Sequence, residues 1–195
     1  MKHRIITISR QFGSGGRTIG REVAKQLGIP CYDQELIAMF AEESGFSEAY
    51  VREDSEHTRT GFLSGLFSDR VYDTPITQDV LWEAQKRVIL RLAEQGPCVI
   101  VGRCADHILK DTASCLRVFI HADREKRASR ITEVYGERED APTKRIADKD
   151  KSRQAYYQKY TGSVWGNAEN YHITLDSGEL GLDTCVKILC ELYET

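Results

Sequence analysis

A glycine-rich segment near the start of the chain has the residue types that bind phosphate. The segment runs from Gly13 to Thr18 and lies between the apolar run 5–8 and a helical pattern that begins at Ile19. Glycines between a strand and a helix let several backbone N–H groups converge on one anion, and the positive end of the helix dipole adds attraction. We therefore predict that a nucleotide's phosphates bind at Gly13, Ser14, Gly15, Gly16, Arg17 and Thr18.

Two residues depart from the usual pattern of such loops, G-x-x-x-x-G-K-[ST], in which the final hydroxyl, here Thr18, holds Mg²⁺. Gln11 stands in place of the first glycine, and Arg17 stands in place of the lysine. Arginine keeps the positive charge, but its guanidinium is long and planar whereas the lysine ammonium is compact. The loop is therefore either reshaped around Arg17 or slow in transferring phosphate.

Other polar residues follow predicted strands at the point where each strand ends, and this is the edge at which parallel sheets bind ligands. Arg103 comes directly after the apolar run 98–101 and Gly102, so its guanidinium can grip a phosphate with paired hydrogen bonds. The alternative is an arginine that caps the sheet edge. Asp33 either contacts the ligand or a Mg²⁺-bound water, or caps the helix that begins at Gln34. The sequence leaves both alternatives open.

A basic segment from Arg124 to Lys159 contains eleven basic and seven acidic residues, although the whole chain has 27 basic and 30 acidic residues. A run of charge is commonly a solvated face. Phosphoryl transfer, however, needs cations that reach the γ-phosphate from outside the loop and a site that excludes water. We interpret the segment as a hinged lid. Within it, Asp150 and Arg153 share one helical face, and Arg145 lies on a nearby turn.

Composition excludes several classes of protein. A chain of 195 residues with 41% hydrophobic and 29% charged residues fits one α/β domain. A net charge of −3 argues against a protein that coats nucleic acid or anionic membranes. The six cysteines lack zinc-ligand spacing and predict reduced core thiols. The first apolar run is too short for a signal peptide and no run could span a bilayer, so we expect a cytoplasmic protein without nucleic-acid or membrane partners.

The elements that must position these residues follow from hydrophobic periodicity. Apolar, β-branched runs alternate with helical patterns, which is typical of βαβ units on a parallel sheet. Five parallel strands are predicted over residues 5–9, 30–32, 98–101, 116–121 and 171–175. Helices are predicted over residues 18–27, 34–43, 76–94, 123–135 and 143–160, with a terminal helix from Leu182. The stretch 47–77 is irregular and predicts a mobile insertion.

An ordered set of sequence blocks resembles the cytidylate kinase-like family, a divergent branch of the P-loop nucleoside monophosphate kinases. The blocks are residues 8–17 (ISRQFGSGGR), 28–33 (GIPCYD), 99–106 (VIVGRCAD), 171–176 (YHITLD) and 180–181 (LG). The resemblance covers nearly the whole chain. It implies a three-layer α/β/α P-loop NTPase fold with a five-stranded parallel sheet in one domain, residues 1–195. The core would comprise residues 1–33, 96–123 and 161–195, the nucleoside monophosphate (NMP)-binding insertion residues 34–95, and the lid residues 124–160.

The resemblance also implies a function, which is ATP-dependent transfer of the γ-phosphate to a nucleoside monophosphate of the CMP or dCMP type, with Mg²⁺. By position, the loop would bind the ATP phosphates and Thr18 the Mg²⁺. The acceptor contacts would be Asp33, Arg103 and Asp150. The residues acting on the transferring phosphate would be Arg17, Arg103, Arg145 and Arg153.

Two features of the sequence keep the acceptor open. Cys104 replaces the aspartate of the Gly-Arg-Asp motif of cytidylate kinases, and the serine- and aspartate-rich blocks with which those enzymes read cytosine are not found. The alternatives are a kinase acting on a small non-nucleotide metabolite and a module that binds a nucleotide without turning it over.

Overall fold

The structure is a computed structural model of the chain, and it describes residues 4–56, 75–112 and 114–194. The strands are β1 (Ile5–Arg10), β2 (Cys31–Tyr32), β3 (Cys98–Val101), β4 (Cys115–His121) and β5 (Ile173–Asp176). The helices are α1 (Gly16–Leu27), α2 (Glu35–Ser44), α3 (Glu48–Glu56), α4 (Pro75–Gln95), α5 (Ala105–Ile108), α6 (Arg124–Tyr135), α7 (Pro142–Thr161), α8 (Ser177–Leu180) and α9 (Leu182–Glu194). A 3₁₀ turn, Ala168–Asn170, precedes β5.

The five described strands form one parallel sheet in the order β2-β3-β1-β4-β5. The central strand β1 pairs with β3 from Ile5↔Cys98 to Ile8↔Val101 and with β4 on its other side. Because the chain visits β2 and β3 on one side of β1 and then β4 and β5 on the other, the strand order reverses beside β1. Such a reversal opens a crevice at the carboxyl end of the central strand, where ligands bind. The predicted five-stranded parallel α/β fold is confirmed.

Helices cover both faces of the sheet. On one face, α2 and α4 bury Leu36, Phe40, Val88 and Ile89 against the strands. On the other face, α1 and α9 bury Ile19, Val23, Val186 and Leu189. Successive residues of β3 belong to opposite clusters, which is why this strand is apolar at every position rather than at every second one. The sheet and its two helical layers form the three-layer architecture.

The predicted helices and strands are found with their ends shifted by at most two residues. The prediction of an irregular stretch over 47–77 is wrong for α3, which is helical from Glu48 to Glu56. Residues 57–74 of that stretch lie outside the described residues. Val51 of α3 is buried with residues of α2 and α4, and within residues 48–52, whose burial is described, one buried residue leaves no periodic signal. The short helices α5 and α8 are also absent from the sequence-based prediction.

The cysteines and the helices bear on two further expectations. All six cysteines are free thiols, and four of them are buried: Cys98, Cys104, Cys115 and Cys185. Cys31 and Cys190 are half-buried. Within the part of the chain that the structure describes, no helix is both long enough and apolar enough to cross a membrane.

Buried polar contacts attach α7 to the carboxyl edge of the sheet. The hydroxyl of Tyr157 donates to Asp106 Oδ2 at 2.7 Å, and Ser9 Oγ at the end of β1 donates to Asp106 Oδ1 at 3.4 Å. Asp106 is only 2% exposed. Burial raises the pKa of Asp106 and outweighs the lowering effect of the Tyr157 hydrogen bond. One buried carboxyl therefore links β1, α5 and α7.

The loop between β1 and α1 requires glycine at position 13. Gly13 has a φ of +82°, and a Cβ there would lie 2.9 Å from the carbonyl oxygen of Arg127 and 2.9 Å from Ile131 Cδ1. Gly28, which ends α1, also has a positive φ of +66°, but a Cβ there would meet no atom within 4 Å. Substitution would strain the backbone at both glycines, but only at Gly13 would the added Cβ also meet neighbouring atoms.

We predict that Gly13→Ala lowers the free energy of unfolding by about 2–5 kcal/mol, because left-handed backbone costs about 1–2 kcal/mol and overpacking adds about 1–3 kcal/mol. The matched control Gly28→Ala has only the first cost of about 1–2 kcal/mol. Urea denaturation of both variants measures the difference. Equal losses would show that α6 does not pack against the loop as described.

A second prediction concerns pH. Because burial raises the pKa of Asp106 above its ordinary value of 3.8, the protonated carboxyl stabilises the folded chain. This contribution is fully present below the ordinary pKa and is lost as pH rises through the folded-state pKa. Asp106→Asn cannot ionise, so the stability of the wild type relative to this variant should fall as pH rises from about 3.5 to 7. Urea denaturation across that range measures the difference, and a constant difference would refute the prediction.

Candidate functional site

The glycine loop is braced by hydrogen bonds from three directions. Ser14 Oγ donates to the carbonyl of Gln11 at 2.9 Å, and the carbonyl of Ser14 accepts from Ser177 Oγ at 2.6 Å. The backbone N–H of Ala122, just after β4, donates to Gln11 Oε1 at 3.2 Å. Gln11, which replaces the first glycine of the usual pattern, therefore ties the loop to the end of β4.

A cavity of about 60 Å³ lies over this loop. It is lined by Gly13, Gly15, Gly16, Arg17 and Thr18 of the predicted phosphate site. Arg130 of α6 forms the opposite wall, and its Nη2 donates to Thr18 Oγ1 at 3.1 Å. The sequence analysis did not select Arg130, because nothing in the basic segment distinguishes it from the other cations there.

The side chain of Arg17 pairs with Asp33 and not with a residue of its own loop. Its Nε donates to Asp33 Oδ2 at 2.6 Å, and Asp33 is only 6% exposed. Two further guanidinium groups lie near the same carboxylate, that of Arg21 at 3.5 Å and that of Arg10 at 3.9 Å. Burial lowers the pKa of Arg17, but the hydrogen bond and the charge of Asp33 together raise it above the ordinary value. Asp33 is thus the counter-ion of an arginine cluster.

The alternative role of Asp33 as a helix cap is wrong. Helix α2 begins at Glu35, its N-cap residue is Gln34, and no side chain caps it. Asp33 precedes the cap, and the cluster of arginines draws its carboxylate to the other side.

A larger cavity of about 190 Å³ opens beside this ion pair. Among the residues that the structure describes, its charged lining comprises six cations and one carboxylate: Arg10, Arg17, Arg52, Arg103, Lys149, Arg153 and Asp33. Its aromatic lining consists of Phe12, Tyr156, Tyr157 and Trp165. Clustered guanidinium groups match the paired oxygens of phosphates and carboxylates, so the cavity suits an anion with a flat apolar part.

The turn after β3 is strained in a way that aims Arg103 into this cavity. Gly102, Arg103 and Cys104 have φ values of 79°, 57° and 53°, so three successive residues are left-handed. Each such non-glycine residue costs about 1–3 kcal/mol and persists only where the surroundings hold it. Gln85 Nε2 donates to the Arg103 carbonyl at 2.9 Å, and Gln85 Oε1 accepts from the Tyr156 hydroxyl at 3.1 Å.

Arg10 is a further cavity residue that the sequence analysis missed. A Cβ on Gly102 would lie 2.8 Å from Arg10 Cζ, so the guanidinium packs directly on the strained turn. Its backbone carbonyl accepts from Arg153 Nη1 at 2.9 Å. Burial lowers the pKa of Arg10, the charge of Arg153 lowers it further, and Asp33 partly opposes both. As the last residue of the central strand, Arg10 is accessible to the same strand-end argument that selected Asp33 and Arg103.

The predicted lid residues have different positions. Arg153 lines both cavities, whereas Asp150 and Arg145 line neither. Asp150 accepts from the backbone N–H of Phe12 at 2.7 Å and pairs with Arg127 Nη1 at 2.6 Å, so it attaches α7 to the loop and to α6. Arg145 has a buried Nη1 without a hydrogen-bond partner among the described residues. The acceptor contact of Asp150 and the catalytic role of Arg145 remain predictions.

Thr18 is the predicted ligand of Mg²⁺. Within the described ranges, no three His, Cys, Asp or Glu side chains are grouped so as to hold a metal ion. Mg²⁺ usually keeps several waters and binds through few protein groups together with substrate phosphates. The residues present therefore fit an ion that arrives with the phosphates of a nucleotide, with the Thr18 hydroxyl as protein ligand.

Comparisons with known proteins agree with this geometry. Residues 5–179 match the model of the cytidylate kinase-like family. A cytidylate kinase of Methanopyrus kandleri is 26% identical over 194 residues, which is 95% of this chain and 90% of that protein. A solved structure of an uncharacterized protein from Eubacterium ventriosum has a TM-score of 0.75 at 27% identity and covers 98% of both chains.

A gluconokinase from Sinorhizobium meliloti has a TM-score of 0.58 at 16% identity, covering all of this chain and 96% of the gluconokinase. This likeness shows the P-loop kinase fold alone. The family match, in contrast, spans the glycine loop, the strand ends and the lid helices described above. The chain belongs to the cytidylate kinase-like family.

Proposed function

We propose that this chain transfers the γ-phosphate of ATP to a nucleoside monophosphate, with CMP or dCMP as the first candidates. The family and the fold are those of phosphotransferases. The observation that carries the proposal is the cavity lined by six cations and one carboxylate beside the phosphate loop. Such a lining favours an acceptor that already bears a phosphate over a neutral polyol.

In this proposal each substrate would occupy one of the two cavities. ATP would bind with its phosphates on the glycine loop, and the acceptor would occupy the larger cavity. Arg10, Phe12, Arg17 and Arg153 line both cavities and so form a shared wall. A phosphate that passes from donor to acceptor would cross at this wall.

The chemistry would rest on alignment and charge neutralisation. An acceptor phosphate oxygen is already ionised at neutral pH, so transfer needs neither a covalent intermediate nor a general base. Arg153 in the shared wall and Arg103 in the acceptor cavity would neutralise the charge that spreads over the equatorial oxygens. The rings of Tyr156 and Trp165 offer a flat surface for a base. The Thr18 hydroxyl would hold Mg²⁺, which when bound would supply positive charge against the donor phosphates.

One observation favours a second candidate, a module that binds a nucleotide without turning it over. The residue at the lysine position, Arg17, is engaged by Asp33 and not by the phosphate loop. A loop without its cation would bind phosphate weakly and transfer it slowly. The acceptor assay below separates the two candidates.

We predict acceptor-dependent ADP release from Mg-ATP, with CMP or dCMP turned over faster than UMP, AMP, GMP or gluconate, because the chain belongs to the cytidylate kinase-like family and the cationic cavity favours a phosphorylated acceptor. A coupled assay across this panel gives kcat/KM for each acceptor. ATP binding without turnover of any acceptor would refute the kinase function and support the binding module. Fastest turnover with gluconate would make the chain a kinase of a hydroxylated metabolite.

Arg153→Ala should lower kcat by about 100-fold or more while changing the KM for ATP by less than about threefold, because Arg153 lies where charge would develop in the transition state. Lys151→Ala, an exposed cation two residues earlier on α7, serves as the matched control and should leave kcat unchanged. Arg153→Lys should restore part of the rate.

Arg153 also donates to the Arg10 carbonyl and lies over the Phe12 ring, so its loss could act through folding. The free energy of unfolding of each variant, measured in urea, tests this. Equal losses in kcat and in ATP affinity would argue against a role in the transition state.

A further inference from the structure

We propose that Arg130 of α6 supplies the cation for the donor phosphates, and that Asp33 holds Arg17 out of that role. The inference rests on the proposed function in one respect, namely that the phosphates of a nucleotide occupy the loop cavity. It moves the function of the missing lysine from the first turn of α1 to a helix more than 100 residues away in sequence.

Arg17 is held by an ion pair with Asp33. Its Nε lies 2.6 Å from Asp33 Oδ2, and the carboxylate is nearly inaccessible to solvent. If Arg17 swung to the loop, Asp33 would keep only the longer contacts of Arg21 at 3.5 Å and Arg10 at 3.9 Å. Without Arg17 the buried carboxylate would lose its closest partner and its hydrogen bond, which is unfavourable for a buried charge. Asp33 therefore holds the Arg17 Nε, although Arg17 lines the loop cavity as well as the larger one.

Helix α6 packs against the glycine loop. The backbone of Arg127 and the side chain of Ile131 border Gly13, and the guanidinium of Arg130 borders Gly15, where a Cβ would lie 3.1 Å from Arg130 Nε. Residues 127, 130 and 131 share one face of a helix. This face of α6 therefore runs along the glycine loop and places one guanidinium over it.

The arginines near the loop differ in their carboxylate partners. Arg127 is paired with Asp150 at 2.6 Å, and Arg17 is paired with Asp33. Among the side chains described, those of residues 4–52, 77–112 and 114–194, no carboxylate lies within 4 Å of the Arg130 guanidinium, which donates to the hydroxyl of Thr18. Its positive charge is therefore uncompensated at the loop, and its planar fork matches the paired oxygens of a phosphate.

The experiment measures the dissociation constant of ADP for the full chain by isothermal titration calorimetry. Arg130→Ala should weaken ADP binding by about tenfold or more, because it removes charge-assisted hydrogen bonds to phosphate. Arg17→Ala should change the constant by less than about threefold, since the Arg17 charge is directed to Asp33. Arg124→Ala, on the exposed start of the same helix, is the matched control for charge and should also change it by less than about threefold.

The outcomes separate this inference from the proposed function. Weaker ADP binding in Arg17→Ala than in Arg130→Ala, or unchanged binding in Arg130→Ala, would overturn the inference and leave the kinase function standing. Absence of ADP binding by the wild type would overturn both. If Arg17→Ala does not fold, the double variant Arg17→Gln with Asp33→Asn removes both charges of the pair, and the expected ADP affinity is again that of the wild type.

Discussion

The arrangement of the site depends on the attraction between one buried carboxylate and the arginines around it. Asp33 follows the two-residue edge strand β2 and accepts from Arg17, with Arg21 and Arg10 close by. Cations gathered around a cavity repel one another, and the repulsion grows as water is excluded. A carboxylate at their centre offsets it. The short strand β2 has little core of its own, and its pairing with β3 serves to place this charge.

The same constraint applies on the opposite side of the site, where α7 meets the loop. Asp150 binds Arg127 and the backbone of Phe12, Arg153 donates to the Arg10 carbonyl, and Tyr157 donates to Asp106. These three residues of α7 lie three and four positions apart and therefore share one face of the helix. Each contacts a different part of the core edge. The helix is thereby held beside both cavities, which Arg153 lines.

Most of the helices and strands could be predicted from the sequence. β3 is buried on both faces and reads as a continuous apolar run, and α4 keeps a helical period from Leu81 to Leu92. Helix α3 was missed because Val51 is the only fully buried residue among residues 48–52, the part of the helix whose burial is described. No local sequence pattern predicted the strand order either, because the order depends on which helices cover which face of the sheet.

The sequence alone determined the glycine loop, because glycines between a strand and a helix constrain the backbone locally. For the same local reason it placed Asp33 and Arg103 at strand ends. The tertiary structure alone decided the partners of the charges. Arg17 meets a carboxylate 16 positions away, and Thr18 meets a guanidinium 112 positions away. Charge attraction acts through space and not along the chain, so the packing of α6 along the loop and the position of Asp33 after β2 decide which partner each side chain meets.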